Sequence, residues 1–187
     1  MNKGFSLIEV AIVLSIIGIL MGFSLKGRSI IDAAKTRSFI SQIENYKAAI
    51  QIFNDRYGAL PGDFNDADKA ISSDCPNGDL NGQIKTLEEA KRFWIHLAKS
   101  GLITDNLHNG FPTTKLGGIL TVSTALSTEG LWLIWCRATN DNENFSPIID
   151  KQTAYKINKA MGGSSSNTGD VRIEEKDSSC YLLFRLW

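Results

Sequence analysis

The stretch Asn77-Gly78-Asp79-Leu80-Asn81-Gly82-Gln83-Ile84, with Glu88 just beyond it, has the oxygen-rich spacing that a hard cation requires. Counted from Asn77, side-chain oxygens fall at the first, third, fifth and twelfth positions of a calcium-binding loop, with glycine at the sixth and an apolar residue at the eighth. Asn77, Asp79 and Asn81 would each offer a side-chain oxygen, Gln83 its backbone carbonyl, and Glu88 a bidentate carboxylate from the start of the next helix. Asn in place of Asp at the first position and Lys85 at the ninth lower the negative charge. The expected affinity is therefore weak, about 10⁻⁴ to 10⁻³ M, and calcium, if bound, is structural. The same Gly, Asn and Asp residues also suit a plain turn that caps a helix.

Little else in the chain announces chemistry. It has no G-x-S-x-G, HExxH, P-loop or dinucleotide fingerprint, so catalysis is not expected. The two histidines are far apart in sequence: His96 lies with Arg92 and Lys99 on what reads as the solvated face of a helix, and His108 sits in a loop. The acid pairs Asp66/Asp68 and Glu174/Glu175 read as solvated charges. Three cysteines, Cys75, Cys136 and Cys180, are compatible with an oxidising compartment, but they cannot all pair within the chain.

One acid stands out by its surroundings. From Phe5 to Leu25 the only charged residue is Glu9, and as a helix this run spans roughly 32 Å, about the thickness of a bilayer core. It is too long for a signal peptide and lacks a small-residue cleavage site at its far end. A carboxylate at mid-bilayer costs about 2.5 to 3.5 kcal/mol, so something should compensate Glu9.

Beyond the apolar run the helix is expected to continue. Phe39, Ile43, Tyr46, Ile50, Phe53 and Tyr57 recur at helical spacing on one stripe, with Arg37, Gln42, Glu44, Asn45, Lys47 and Gln51 on the other face. Gly58 and Pro61-Gly62 end it, giving one helix of about 50 residues. A short helix is expected from Asp63. Thr86 with Glu89 makes a capping box for a helix to Ser100, its buried stripe being Leu87, Ala90, Phe93, Trp94, Leu97 and Ala98. Strands are expected at 116–122, 130–137, 171–174 and 180–187, with a last helix over 150–161 and a flexible loop over 162–169. The 187 residues carry 20 basic and 20 acidic side chains, so composition indicates no nucleic-acid partner.

Gly4-Phe5-Ser6-Leu7-Ile8-Glu9, with a short leader containing Lys3 before it and the apolar run behind it, resembles the N-terminus of type IV pilins and type II secretion pseudopilins. The resemblance implies cleavage after Gly4 by a membrane-embedded prepilin peptidase and N-methylation of Phe5. Glu9 then stands fifth in the mature chain, about 6 Å deeper along the helix than the new amino terminus, and can pair with a neighbouring subunit's amine in a filament. Gly18 falls where the family usually has a glycine, whereas Lys26 stands where many pilins have proline. Cys136 closes one expected strand and Cys180 opens another, so these two are expected to pair, as in the C-terminal disulfide region of pilins, leaving Cys75 free.

The expected fold is α+β and pilin-like: a long N-terminal α-helix, transmembrane in its first half, packed on a globular head of short helices and a small antiparallel sheet. Its parts are the leader 1–4, the membrane and assembly segment 5–25, the soluble half of the helix 26–57, and the head 58–187. The resemblance implies a structural subunit of a type IV pilus or type II secretion filament, pilin, minor pilin or pseudopilin. Its implied partners are other pilin subunits, prepilin peptidase, an assembly platform protein and the inner membrane. The head would lie in the periplasm and the assembled filament in the periplasm or outside the cell. The alternative is a membrane-anchored calcium-dependent binding module that does not polymerise.

Overall fold

A first helix, α1, runs without interruption from Leu7 to Tyr57 in the computed structural model, which describes residues 6–125, 130–138, 145–162, 170–176 and 179–186. The chain divides into two compact units, Met1–Ser38 and Phe39–Trp187, with the boundary inside α1. In the first unit the apolar residues stand exposed: Ile8, Ile12, Val13, Leu14, Ile16, Ile19, Leu20 and Phe23 are all uncovered. Its most apolar window has a mean hydropathy of 2.4 and none of it is buried, so by length and composition this helix can cross a membrane.

In the second unit the apolar stripe of α1 is the centre of the core. Phe39, Ile43, Ile50 and Phe53 are fully buried and Tyr46 nearly so, while Tyr57 packs at the margin. Gln42, on the polar face, reaches the Tyr46 hydroxyl and the Thr113 carbonyl at 2.9 Å each, and Tyr46 donates to Asp105 at 2.8 Å. Burial and the bond to Asp105 push the Tyr46 phenol up, which keeps it protonated as a donor at neutral pH.

After the one-turn helix α2 (Ala67–Ala70), helix α3 (Leu87–Lys99) packs Phe93, Trp94 and Leu97 into the same core, with Trp94 edge-on to Tyr46 at 5.0 Å. The expected capping box is present: Thr86 accepts from the Glu89 N–H at 3.2 Å, and Glu89 accepts from the Thr86 and Lys85 N–H groups. Thr86→Ala is expected to lower stability by about 1 kcal/mol, read from the denaturant midpoint of unfolding.

A two-residue hairpin, β1 (Leu107–His108) with β2 (Phe111–Pro112), precedes the main sheet. The sheet is formed by β3 (Ile119–Ser123), β4 (Trp132–Ala138), β5 (Phe145–Ser146), β6 (Ile149–Asp150), β7 (Val171–Lys176) and β8 (Ser179–Arg185), all antiparallel, in the order β3-β4-β8-β6 with β5 on β4 and β7 on β8. Helix α4 (Lys151–Ala160) starts at Asp150, whose side chain accepts from the Thr153 N–H at 3.0 Å.

Alternation along the strands gives each face its residues. Leu133 and Trp135 of β4, Leu182 and Phe184 of β8, and Val171 and Ile173 of β7 share the face that meets α1, where Phe39 lies 4.5 Å from Trp135 and 5.9 Å from Phe184. The flexible loop expected over 162–169 falls, beyond Gly162, outside the described residues.

The three cysteines are free thiols and all are buried. The expected Cys136–Cys180 bond is absent, and the sheet register supplies the reason. Trp135 pairs with Leu182, so Cys180 shares a face with Leu182 and Trp135, whereas Cys136, one residue further along β4, points to the other face. Cys136 lies opposite Ile119 of β3, and Cys180 opposite Ile149 of β6. Burial pushes the Cys136 thiol up to about 12 and raises those of Cys75 and Cys180, so none is poised to react.

Candidate functional site

Two places concentrate the residues singled out by sequence. The first is the start of α1. Gly4 and Phe5 lie outside the described residues, but Ser6 and Glu9 are placed. The Ser6 carbonyl accepts from the Glu9 N–H at 3.1 Å and opens the helix, and the Glu9 Oε2 returns to accept from the Ser6 N–H at 2.9 Å. This is the reciprocal geometry of a helix start, in which a carboxylate satisfies an otherwise orphan donor. The second oxygen, Oε1, has no partner among the described residues. Around it stand exposed Val10, Ile12 and Val13. An acceptor held on an apolar, uncovered helix surface is suited to a single cation delivered from outside, such as an amine.

The second place is the loop between Leu60 and Glu88. The five residues expected to bind calcium lie on this loop and at the start of α3. Asp79 and Asn81 lie together, the Asn81 amide donating to the Asp79 carboxylate and its oxygen accepting from the Gln83 N–H at 2.7 Å. Asn77 is turned instead to Asp68, exchanging two bonds of 2.9 Å with its N–H and its carboxylate. Glu88 pairs with Lys91 at 2.7 Å. Among the described residues no three His, Cys, Asp or Glu side chains come together as a metal group.

Asp63 organises this loop, a role that the sequence alone did not reveal. It is buried, and its carboxylate accepts from the Asn81 N–H at 2.8 Å and the Gly82 N–H at 2.9 Å, while its carbonyl accepts from Leu80 at 2.9 Å. Two successive backbone donors thus close on the carboxylate, as in an anion-binding nest whose anion belongs to the protein itself, and the donor before them closes on the same residue's carbonyl. The path puts Leu80 at φ 56° and Gly82 at φ 76°. Burial, and the neighbouring Asp79, raise the Asp63 carboxyl despite the opposing pull of the Gly82 and Asn81 N–H groups. In sequence Asp63 looked like a helix start; the cue to its actual role is the Pro61-Gly62-Asp63 turn read together with Asn77-Gly78 and Asn81-Gly82.

His96 also departs from expectation. It is fully buried, because the turn at 60–63 and the segment 74–77 fold over the face of α3 that looked solvated. Its Nδ1 accepts from the Gly62 N–H at 2.9 Å, its Nε2 lies 2.7 Å from the Pro76 carbonyl, and its ring stacks on Phe53 at 6.0 Å. The companions expected beside it serve the same loop: Arg92 donates to the Asn77 carbonyl and Lys99 to Asp74.

The architecture is α+β, with a membrane-length N-terminal helix and a head of short helices and antiparallel strands. Residues 1–25 match the family model of the prokaryotic N-terminal methylation motif, the prepilin-type leader of type IV pilins and pseudopilins. No curated protein and no solved structure matches the chain.

Proposed function

We propose that this chain is a structural subunit of a type IV pilus or type II secretion filament, as pilin, minor pilin or pseudopilin. Prepilin peptidase cleaves it after Gly4, Phe5 is methylated, and the subunit leaves the inner membrane for the filament through its N-terminal helix, driven by an assembly platform, with its head on the periplasmic side. The observation that carries this reading is Glu9: among the described residues, an acceptor with one oxygen spare on an exposed apolar helix face, inside a methylation motif. A charge costly in lipid becomes a registration device when a second subunit brings its amino terminus to it.

Glu9→Ala is expected to insert in the membrane and to be cleaved normally, yet to fall at least about tenfold in sheared or purified filaments. Immunoblots of membrane and filament fractions, with the N-terminal mass determined on each, are the measurement. Unchanged filament yield, or a mature protein that still begins at Met1, overturns the proposal.

A further inference from the structure

We propose that His96 is an acid-sensitive clasp, whose protonation releases the 60–63 turn and the 74–77 segment from α3. The tautomer follows from the partners. A backbone N–H can only donate, so Nδ1 facing Gly62 carries no proton, and Nε2 carries the one it donates to the Pro76 carbonyl. Both bonds are made only by the neutral ring. A second proton would have to sit on Nδ1, at 2.9 Å from the Gly62 N–H, where two donors would then oppose each other.

The surrounding charges offer the imidazolium nothing. On α3 the nearest are the cations Arg92 and Lys99, one bonded to the Asn77 carbonyl and the other to Asp74. On the turn, the Asp63 carboxylate already receives the Asn81 and Gly82 N–H groups. The 74–77 segment supplies Asp74, engaged with Lys99, and the protonated Cys75 thiol, while α1 presents the Phe53 ring. Water is the remaining source of compensation, and it reaches the ring only if the covering segments lift. Gly62 shows how close that cover is: a Cβ there would stand 2.8 Å from the Glu89 carbonyl oxygen and the Phe93 nitrogen of α3.

Burial, with Arg92 adding to it and the Pro76 bond opposing, holds His96 below its ordinary value of 6.5. The opened form, with its ring in water, therefore takes up the proton first. The clasp is closed above about pH 6.5 and loosens as pH falls from there toward the lowered value, the opening constant rising by up to about tenfold per pH unit.

The test is amide hydrogen exchange on the full chain in detergent micelles between about pH 7.5 and 5, corrected for the intrinsic pH dependence of exchange. Peptides covering 60–64 and 75–83 are expected to lose protection with that slope below pH 6.5, while those from β4 and β8 hold theirs. In His96→Gln the carboxamide supplies both an acceptor and a donor without titrating, so the slope should vanish. A flat wild-type profile, or a slope that survives in His96→Gln, overturns the proposal. Should that variant not fold, imidazole ¹⁵N spectra of the wild type decide: His96 titrating at or above 6.5, or apart from the opening midpoint, refutes the clasp, and coincidence supports it.

Discussion

Alanine at position 78 is expected to destabilise the head by at least about 3 kcal/mol, the upper range for overpacking, because the obstacle is main chain. A Cβ on Gly78 would lie 2.2 Å from the Asp63 carbonyl carbon, 2.3 Å from its oxygen and 2.5 Å from its Cα. No rotamer change relieves that overlap. The Gly78 N–H also donates to the Phe64 carbonyl at 2.7 Å, so the two strands of chain cannot part without losing the bond. Gly82→Ala is the contrast. Its Cβ would meet open space, and the penalty is the left-handed backbone at φ 76°, about 1 kcal/mol. Denaturant midpoints for the two variants should separate accordingly; equal midpoints would mean that the 78–63 contact is looser than the structure has it.

Asp63→Ala is expected to cost about 2 to 4 kcal/mol. It strips the acceptors from the Asn81 and Gly82 N–H groups and leaves Leu80, at positive φ, with only the bond from its N–H to the main-chain carbonyl of residue 63. Asp63→Asn should fall between wild type and alanine, since it keeps one acceptor and removes the like charge facing Asp79. Chemical denaturation of the three proteins at pH 7 orders them; an alanine variant as stable as wild type would show that the nest closes without its acid.

What could be read from the sequence was what local pattern encodes. The six-residue stripe from Phe39 to Tyr57 falls on one helix face because helical geometry alone requires it, and five of the six are buried at the centre of the core. The Thr86/Glu89 box lies within four residues and needs no tertiary information. Asp63 and His96 are different in kind. The bonds that define them run to Asn81 and Gly82, and to Gly62 and Pro76, across 18 to 34 residues. Helical periodicity put His96 with Arg92 and Lys99 on a face that reads as solvated, but it carries no sign that another segment covers that face. The bonds between Asn77 and Asp68 are hidden from the calcium spacing for the same reason: only the fold brings the two together. For the cysteines the deciding quantity was an offset of one residue between β4 and β8, which no strand pattern discloses.

Strand β8 pairs with β7 along one edge and with β4 and then β6 along the other. It is the keystone of the sheet, and it follows every other described element in the chain. During synthesis the apolar helix is therefore available to the membrane well before residues 179–185 exist to close the head.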